Sequence, residues 1–227
     1  MAEKISFKAR VREVAIRYAA SYQSYFVEKS YLVLSDAFSN QPYYIIEAQP
    51  TNYLHLIGVS TPLTAADFFD KCLNGALSET DFELSFHGRD PKFSKGSIRQ
   101  KILTLPGIFG ILSESSTVEE DYTKNVVRCS FATSDGVCTL GFIATPYARP
   151  MTLLRGNELH LENARSFKII ISKPRGETFF SDVVAGSDDD IAAHYDSIKD
   201  LLDDKLRKRA EEILLHKEPV SDNDSKE

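Results

Sequence analysis

The sequence predicts an α+β protein: N-terminal helices packed on a twisted antiparallel sheet, with a long C-terminal amphipathic helix. Two patterns lead there. Apolar residues recur at three- and four-residue spacing over residues 3–28 and again over about 188–216, the mark of helices with one buried face. Between about 125 and 185 the chain changes to short β-branched runs punctuated by Gly, Pro and Asp, five consecutive strands without the strand–helix alternation of an α/β repeat. Composition agrees: 227 residues, 42% apolar and 26% charged, suit one globular α+β domain over 1–217, followed by a polar tail at 218–227 expected to be disordered.

The first helix carries Val11, Val14 or Ala15, Tyr18, Tyr22 and Tyr25 on one side. Its tyrosines, with Tyr31, invite comparison with a base-stacking platform, but helical spacing favours core packing. Tyr31–Leu34 and Tyr43–Ala48 read as a hairpin around the Ser, Asn and Pro of 36–42. Tyr53–Val59 reads as a buried strand holding one imidazole, His55. Thr64 then caps a helix, with Asp67 favourable near its positive end, Phe68, Phe69, Cys72 and Leu73 on its buried face, and Gly75 just past it. Leu77–Phe86 is less regular, with Ser78 as a cap.

His87–Lys101 is the most basic window, holding Arg89, Lys92, Lys95, Arg99 and Lys101 against Asp90 alone. Gly96-Ser97 is expected to open a helix with Ile98, Ile102 and Leu105 inward and Pro106 as its stop. Free N–H groups at that opening, beside Lys95 and Arg99, would suit a phosphate; a solvated basic loop is the equal alternative. Farther on, Asn125–Thr133 and Val137–Ala144 flank the turn Ser134-Asp135-Gly136. Thr145–Pro150 reads as a loop, and Met151–Leu154, Phe167–Ser172 and Thr178–Ala185 as strands. In the last helix Ile191, Tyr195, Ile198, Leu202, Leu206 and Ile213 line one face. Its Asp188-Asp189-Asp190 start complements the helix dipole better than it would hold a metal.

The chemistry is bounded as well. With 33 acidic and 27 basic side chains the net charge is −6, which counts against nonspecific duplex binding as the main task. No run reaches membrane-spanning length and the start lacks the apolar core of a signal peptide, so a cytoplasmic protein is expected. Cys72, Cys129 and Cys138 lack ligand spacing; Cys129 and Cys138 can be imagined pairing across strands, but three packed thiols are expected. No metal site and no cofactor are expected, and no phosphate-binding glycine fingerprint or Gly-x-Ser-x-Gly is found. His55 remains, a titratable group able to act as acid or base near neutrality, weighed against a hydrogen-bonded core histidine.

Six pieces, in order, carry a resemblance. They are Asn52-Tyr53-Leu54-His55-Leu56-Ile57-Gly58-Val59, Phe68-Phe69-Asp70-Lys71-Cys72-Leu73, Lys95-Gly96-Ser97-Ile98-Arg99-Gln100-Lys101-Ile102-Leu103, Leu140-Gly141-Phe142, Met151-Thr152-Leu153-Leu154 and Ile169-Ile170-Ile171-Ser172-Lys173. Together they resemble the phage-associated Barnase–EndoU–colicin–RelE-like nucleases, fourth group, over roughly residues 30 to 185. The resemblance implies N-terminal helices on an antiparallel sheet and metal-independent RNA cleavage. In that chemistry a base takes the ribose 2′-OH proton, cations stabilise the pentacoordinate oxyanion and an acid protonates the leaving oxygen. The residues matching those needs are His55, Arg99, Lys173 and Thr152 as catalytic groups, with Tyr53, Lys95, Ser97 and Lys101 binding substrate. Tyr53 is expected on the same strand face as His55.

Three functions compete: a ribonuclease such as a toxin or effector of a mobile element, an inactive relative that binds a protein or nucleic acid, and a phage-borne inhibitor. RNA is the expected partner of the first; a protein partner or antidote stays open beside it. Convergence of His55, Arg99 and Lys173 would favour the first. Acidic stripes including Asp203 and Asp204, with His55 sealed in the core, would favour the third. The C-terminal helix offers a homodimer surface, packing on its own sheet being the default.

Overall fold

α1 (Phe7–Tyr22) starts where the periodicity starts, its first turn capped by Ser6, which accepts the Ala9 N–H at 2.9 Å. A computed structural model describes residues 5–85 and 91–217. Glu3 and Lys4 of the expected first helix, Phe86, His87, Arg89, Asp90, the side chain of Lys92 and the 218–227 tail lie outside the described residues. Val11, Ala15 and Tyr22 are buried, and Tyr18 and Tyr25 pack against Phe109, so the tyrosines belong to the core.

β1 (Lys29–Ser35) and β2 (Tyr44–Ile46) form the expected antiparallel hairpin. Tyr53–Val59, by contrast, is not a strand. A 3-10 turn at Pro50–Asn52 leads into α2 (Tyr53–Ile57), which ends at Gly58 in the left-handed conformation (φ +79°). Gln49 donates its N–H to the Asn52 side chain at 2.8 Å, and Pro50 stands where its missing N–H costs nothing. The buried residues are Tyr53, Leu56 and Ile57, spaced three and four, so the apolar content serves a helical period. α3 (Ala65–Leu73) follows, capped by Thr64 and closed before Gly75 (φ +70°). Its Leu73 is exposed rather than buried. α4 (Pro91–Thr104) begins one and a half turns before the expected Gly96-Ser97 opening and passes into a 3-10 turn at Leu105–Gly110.

The remaining strands are β3 (Thr117–Glu120), β4 (Thr123–Lys124), β5 (Val127–Arg128), β6 (Phe131–Ser134), β7 (Cys138–Ala144), β8 (Ala148–Arg155), β9 (Arg165–Pro174) and β10 (Asp182–Ala185). β4 and β5 make a separate small hairpin in place of the continuous Asn125–Thr133 strand. Asp135 and Gly136 turn β6 into β7, Asp135 accepting the Val137 and Cys138 N–H groups at 2.9 Å. The sheet is neither a simple meander nor an open antiparallel layer. Its order is β1-β2-β8-β7-β6-β3-β9-β10, and β9 also pairs with β1, closing seven strands into a mixed barrel. β9 makes this possible because one edge meets β1 along its length, while the other serves β3 at Arg165–Ser166 and β10 at Ile170–Ser172. One pair, Ile46 with Ala148, joins β2 to β8 in parallel.

Strand alternation sorts the side chains into two layers. Tyr31, Val33, Ile46, Phe131, Leu140, Phe142 and Leu153 share one core with α1–α4. On the opposite face, Leu32, Leu34, Ile169 and Ile171 pack under the C-terminal segment, and Ala132 packs with Tyr122, Cys129 and Leu159. The three cysteines are free and buried.

The single long C-terminal helix is replaced by α5 (Asp188–Ala193), α6 (Tyr195–Ile198), a 3-10 turn and α7 (Asp204–Lys217). The break has a backbone cause: Leu202 is extended and forms a bridge with Phe180, Phe180 donating its N–H to Leu201 at 2.8 Å and accepting that of Asp203 at 3.0 Å. The expected apolar residues Ile191, Ile198, Leu202 and Leu206 are nevertheless buried, folded back onto β1 and β9. The acidic start is capping: Ser187 and Asp190 form a reciprocal box, and Asp188 holds Arg209 at 2.9 Å.

Candidate active site

α2 turns Tyr53, Leu56 and Ile57 inward, so His55 points away from the core and is exposed. Tyr53 therefore does not share its face. It is fully buried, donates its hydroxyl to the Ala15 carbonyl at 2.8 Å and packs against Tyr22 and Phe69.

Lys101 reaches His55 from α4. Its stem crosses Gly58, where an added Cβ would lie 2.7 Å from Cδ and 3.2 Å from Nζ. Its ammonium donates to the His55 backbone carbonyl, one of the acceptors left open at the end of α2. Among the described residues no carboxylate pairs with this ammonium. Desolvation pushes the Lys101 pKa down to about 8. Burial first and the Lys101 charge second lower the pKa of His55. An exposed imidazole thus belongs to the residue whose backbone carbonyl seats a readily deprotonated ammonium.

The other expected residues do not join them. Since α4 starts at Pro91, the N–H groups of Gly96 and Ser97 lie inside a helix and present no free anion site there. Lys95 and Ser97 are exposed. Arg99 and Lys101 are roughly 200° apart around the helix, on either side of buried Ile98 and Ile102. Arg99 lies over the Phe7 ring at 5.3 Å.

Thr152 and Lys173 face away from the shared core. Leu153 is the β8 residue packed in the core with Leu56, Ile98 and Ile102, whereas the methyl of Thr152 crowds Gly141 beside Cys129. Lys173 lies 4.7 Å from the Phe180 ring centroid and donates to Thr178 at 3.0 Å. Across the strand pair from Lys173, buried Ser30 donates to Glu47 at 3.0 Å, and Glu47 meets Arg175 at 3.4 Å. The convergence of His55, Arg99 and Lys173 does not occur.

Two groups escaped the sequence reading. His160 places Nδ1 2.7 Å from a carboxylate oxygen of buried Glu119, whose other oxygen accepts the His160 N–H at 2.7 Å. That carboxylate raises the pKa of His160. With Glu158 and Glu162 in the same loop, it is a poor place for a polyanion, and the pair pins residues 157–164 to the barrel wall. Arg149, assigned to a loop, is instead on β8 and half-buried. Pro150 was the misleading signal: it stands beside a bulge, where a strand tolerates proline.

Among the described residues no group of His, Cys, Asp and Glu is placed to hold a metal, and no helix is long and apolar enough to cross a membrane. A family model for phage-Barnase-EndoU-ColicinE5/D-RelE like nuclease 4 matches residues 16–178. No curated protein and no solved structure matches.

Proposed function

The chain belongs to the phage-Barnase-EndoU-ColicinE5/D-RelE like nuclease 4 family, and on that premise we propose that it cleaves RNA without a metal, using His55 and Lys101. The observation that carries the site is the Lys101 ammonium, partly desolvated and seated on the backbone of an exposed imidazole. Near neutrality His55 is the base and Lys101 remains mostly protonated. His55 takes the proton of the ribose 2′-OH as that oxygen attacks phosphorus. Lys101 stabilises the charge on the pentacoordinate phosphate and gives a proton to the departing 5′-oxygen, leaving a 2′,3′-cyclic phosphate and a 5′-hydroxyl. The imidazole faces solvent and is not the sealed one that would favour the inhibitor reading.

The test is cleavage of a labelled RNA pool in EDTA by wild type, His55→Ala and Lys101→Ala. Each variant should lose about 10²- to 10⁴-fold in rate while keeping its fold. Absence of cyclic-phosphate product from folded wild type across varied RNAs would turn the reading to a binding module.

A further inference from the structure

Arg149 is placed as a ligand-binding residue would be, and the site above does not use it. Its neighbour Ala148 lies in the shared core, so Arg149 projects from the outer wall of β8, opposite Ile143 of β7. It has no hydrogen bond or ion pair among the described residues, and its Nε is buried without an acceptor. A buried guanidinium N–H without a partner is rare enough to need an explanation. Glu47 would be the obvious partner, being the residue after Ile46, which pairs with Ala148. Yet the Glu47 oxygens are engaged by Ser30 at 3.0 Å and Arg175 at 3.4 Å. Farther along the same wall, past the bulge, Thr152 carries a hydroxyl with no hydrogen bond among the described residues.

We propose that Arg149, with Thr152, forms a phosphate subsite on the outer wall of β8 that holds the backbone of the RNA. The subsite rests on the RNA reading but is separate from the His55–Lys101 chemistry, lying on the opposite face of β8. The terminal N–H groups, accessible where Nε is not, take two oxygens of one phosphate, the two-point contact for which a guanidinium is shaped, and the anion's charge offsets the unpaired Nε–H. Thr152 adds a neutral donor. Glu47, held by Ser30 and Arg175, does not compete for Arg149.

The experiment uses the full chain and a fluorescent 2′-O-methyl oligoribonucleotide, which lacks the attacking hydroxyl and cannot be cleaved. Binding is read by anisotropy over a salt series. Arg149→Gln should weaken binding by roughly 10- to 100-fold and flatten the log K against log salt slope by about 0.7, as for one lost single-strand phosphate contact. Arg149→Lys should recover only part, since it keeps charge but not the fork. Thr152→Val should show a smaller loss, while Lys208→Gln on α7 makes the same charge change elsewhere and should bind as wild type. Inorganic phosphate at matched ionic strength, displacing probe from wild type more readily than from Arg149→Gln, would show that the subsite also takes free phosphate. Thermal midpoints separate ligand binding from structure: Arg149→Gln should melt no lower than wild type, because the charge it removes has no partner. Equal binding by wild type and Arg149→Gln, or no binding by wild type, would overturn the subsite. Cleavage by wild type is read separately on unmodified RNA, so failure of the cleavage reading and failure of the subsite are seen separately.

Discussion

Gly58→Ala tests the geometry that joins α2 to α4. Two costs are superposed there. The backbone is left-handed (φ +79°), which costs an L-residue about 1–2 kcal/mol. The new methyl would also lie 2.7 Å from Lys101 Cδ, forcing the end of the lysine off the His55 carbonyl. That second cost is small in stability, because a lysine stem can swing away, but it changes the amine's surroundings. Gly75→Ala provides the control, having nearly the same backbone (φ +70°) with nothing within 4 Å of the added carbon. Both variants should lose about 1–2 kcal/mol in urea denaturation, or roughly 2–8 °C in melting temperature for a chain of this size. Only Gly58→Ala should return the Lys101 pKa from about 8 toward its ordinary 10.5, read as the pH dependence of Lys101 acylation by mass spectrometry. An unchanged acylation profile in folded Gly58→Ala, or equal shifts in both variants, would refute the placement of Lys101 over Gly58.

Further outcomes follow from the same contacts. If RNA is cleaved as proposed, the rate profile should have its acid limb below pH 6.5, since His55 is lowered, and its alkaline limb at about pH 8 from Lys101; an alkaline limb near 10 would remove Lys101 from the reaction. His160 is raised by Glu119, so its contribution to stability is fully present below about pH 6.5 and fades as pH rises through the folded value. Wild type should therefore exceed His160→Asn in urea midpoint by more at pH 6 than at pH 8, and an equal gap would contradict the ion pair. Tyr53→Phe, which removes a buried hydroxyl bond to Ala15, should cost about 1 kcal/mol by urea titration, and no loss would deny that bond. Phe180→Ala empties the contact between β9 and the C-terminal segment and should cost about 3–5 kcal/mol. A loss under 1 kcal/mol would mean that this segment adds little to the core.

What could be read from the sequence was whatever depends on neighbours in the chain. Thr64, Asp67 and Gly75 delimit α3, and Asp135-Gly136 makes a hairpin, because caps and turns are settled by a few adjacent residues. α2 was obscured because the Leu-Ile-Val content of Tyr53–Val59 suits a strand and the five helical residues barely span one period. The decisive marks were Pro50 before it and Gly58 after it. The C-terminal apolar face was visible, but its division depends on Leu202 bridging Phe180, a partner remote in sequence. The site divides in the same way. His55 and Lys101 could each be chosen by residue type, yet their meeting depends on α2 being a helix and on Gly58 leaving room. Lys173 and Thr152 were credible by type and fell on the other face of the sheet, because alternation along a strand cannot reveal which face another element covers.

The pairing of β1 with β9 also governs when the fold can form. β1 is made early in synthesis, but a long barrel edge for it is supplied by residues 165–174, after nearly every other strand. Loop-closure entropy must be met before that pairing gives anything back, so barrel closure should be a slow, late event. A chain stopped before β9 would leave the Lys29–Ser35 edge open, with Tyr31, Leu32, Val33 and Leu34 available to other unfinished copies. Ribosome-bound or truncated forms should therefore aggregate rather than act, and any activity should emerge only once translation has passed Pro174.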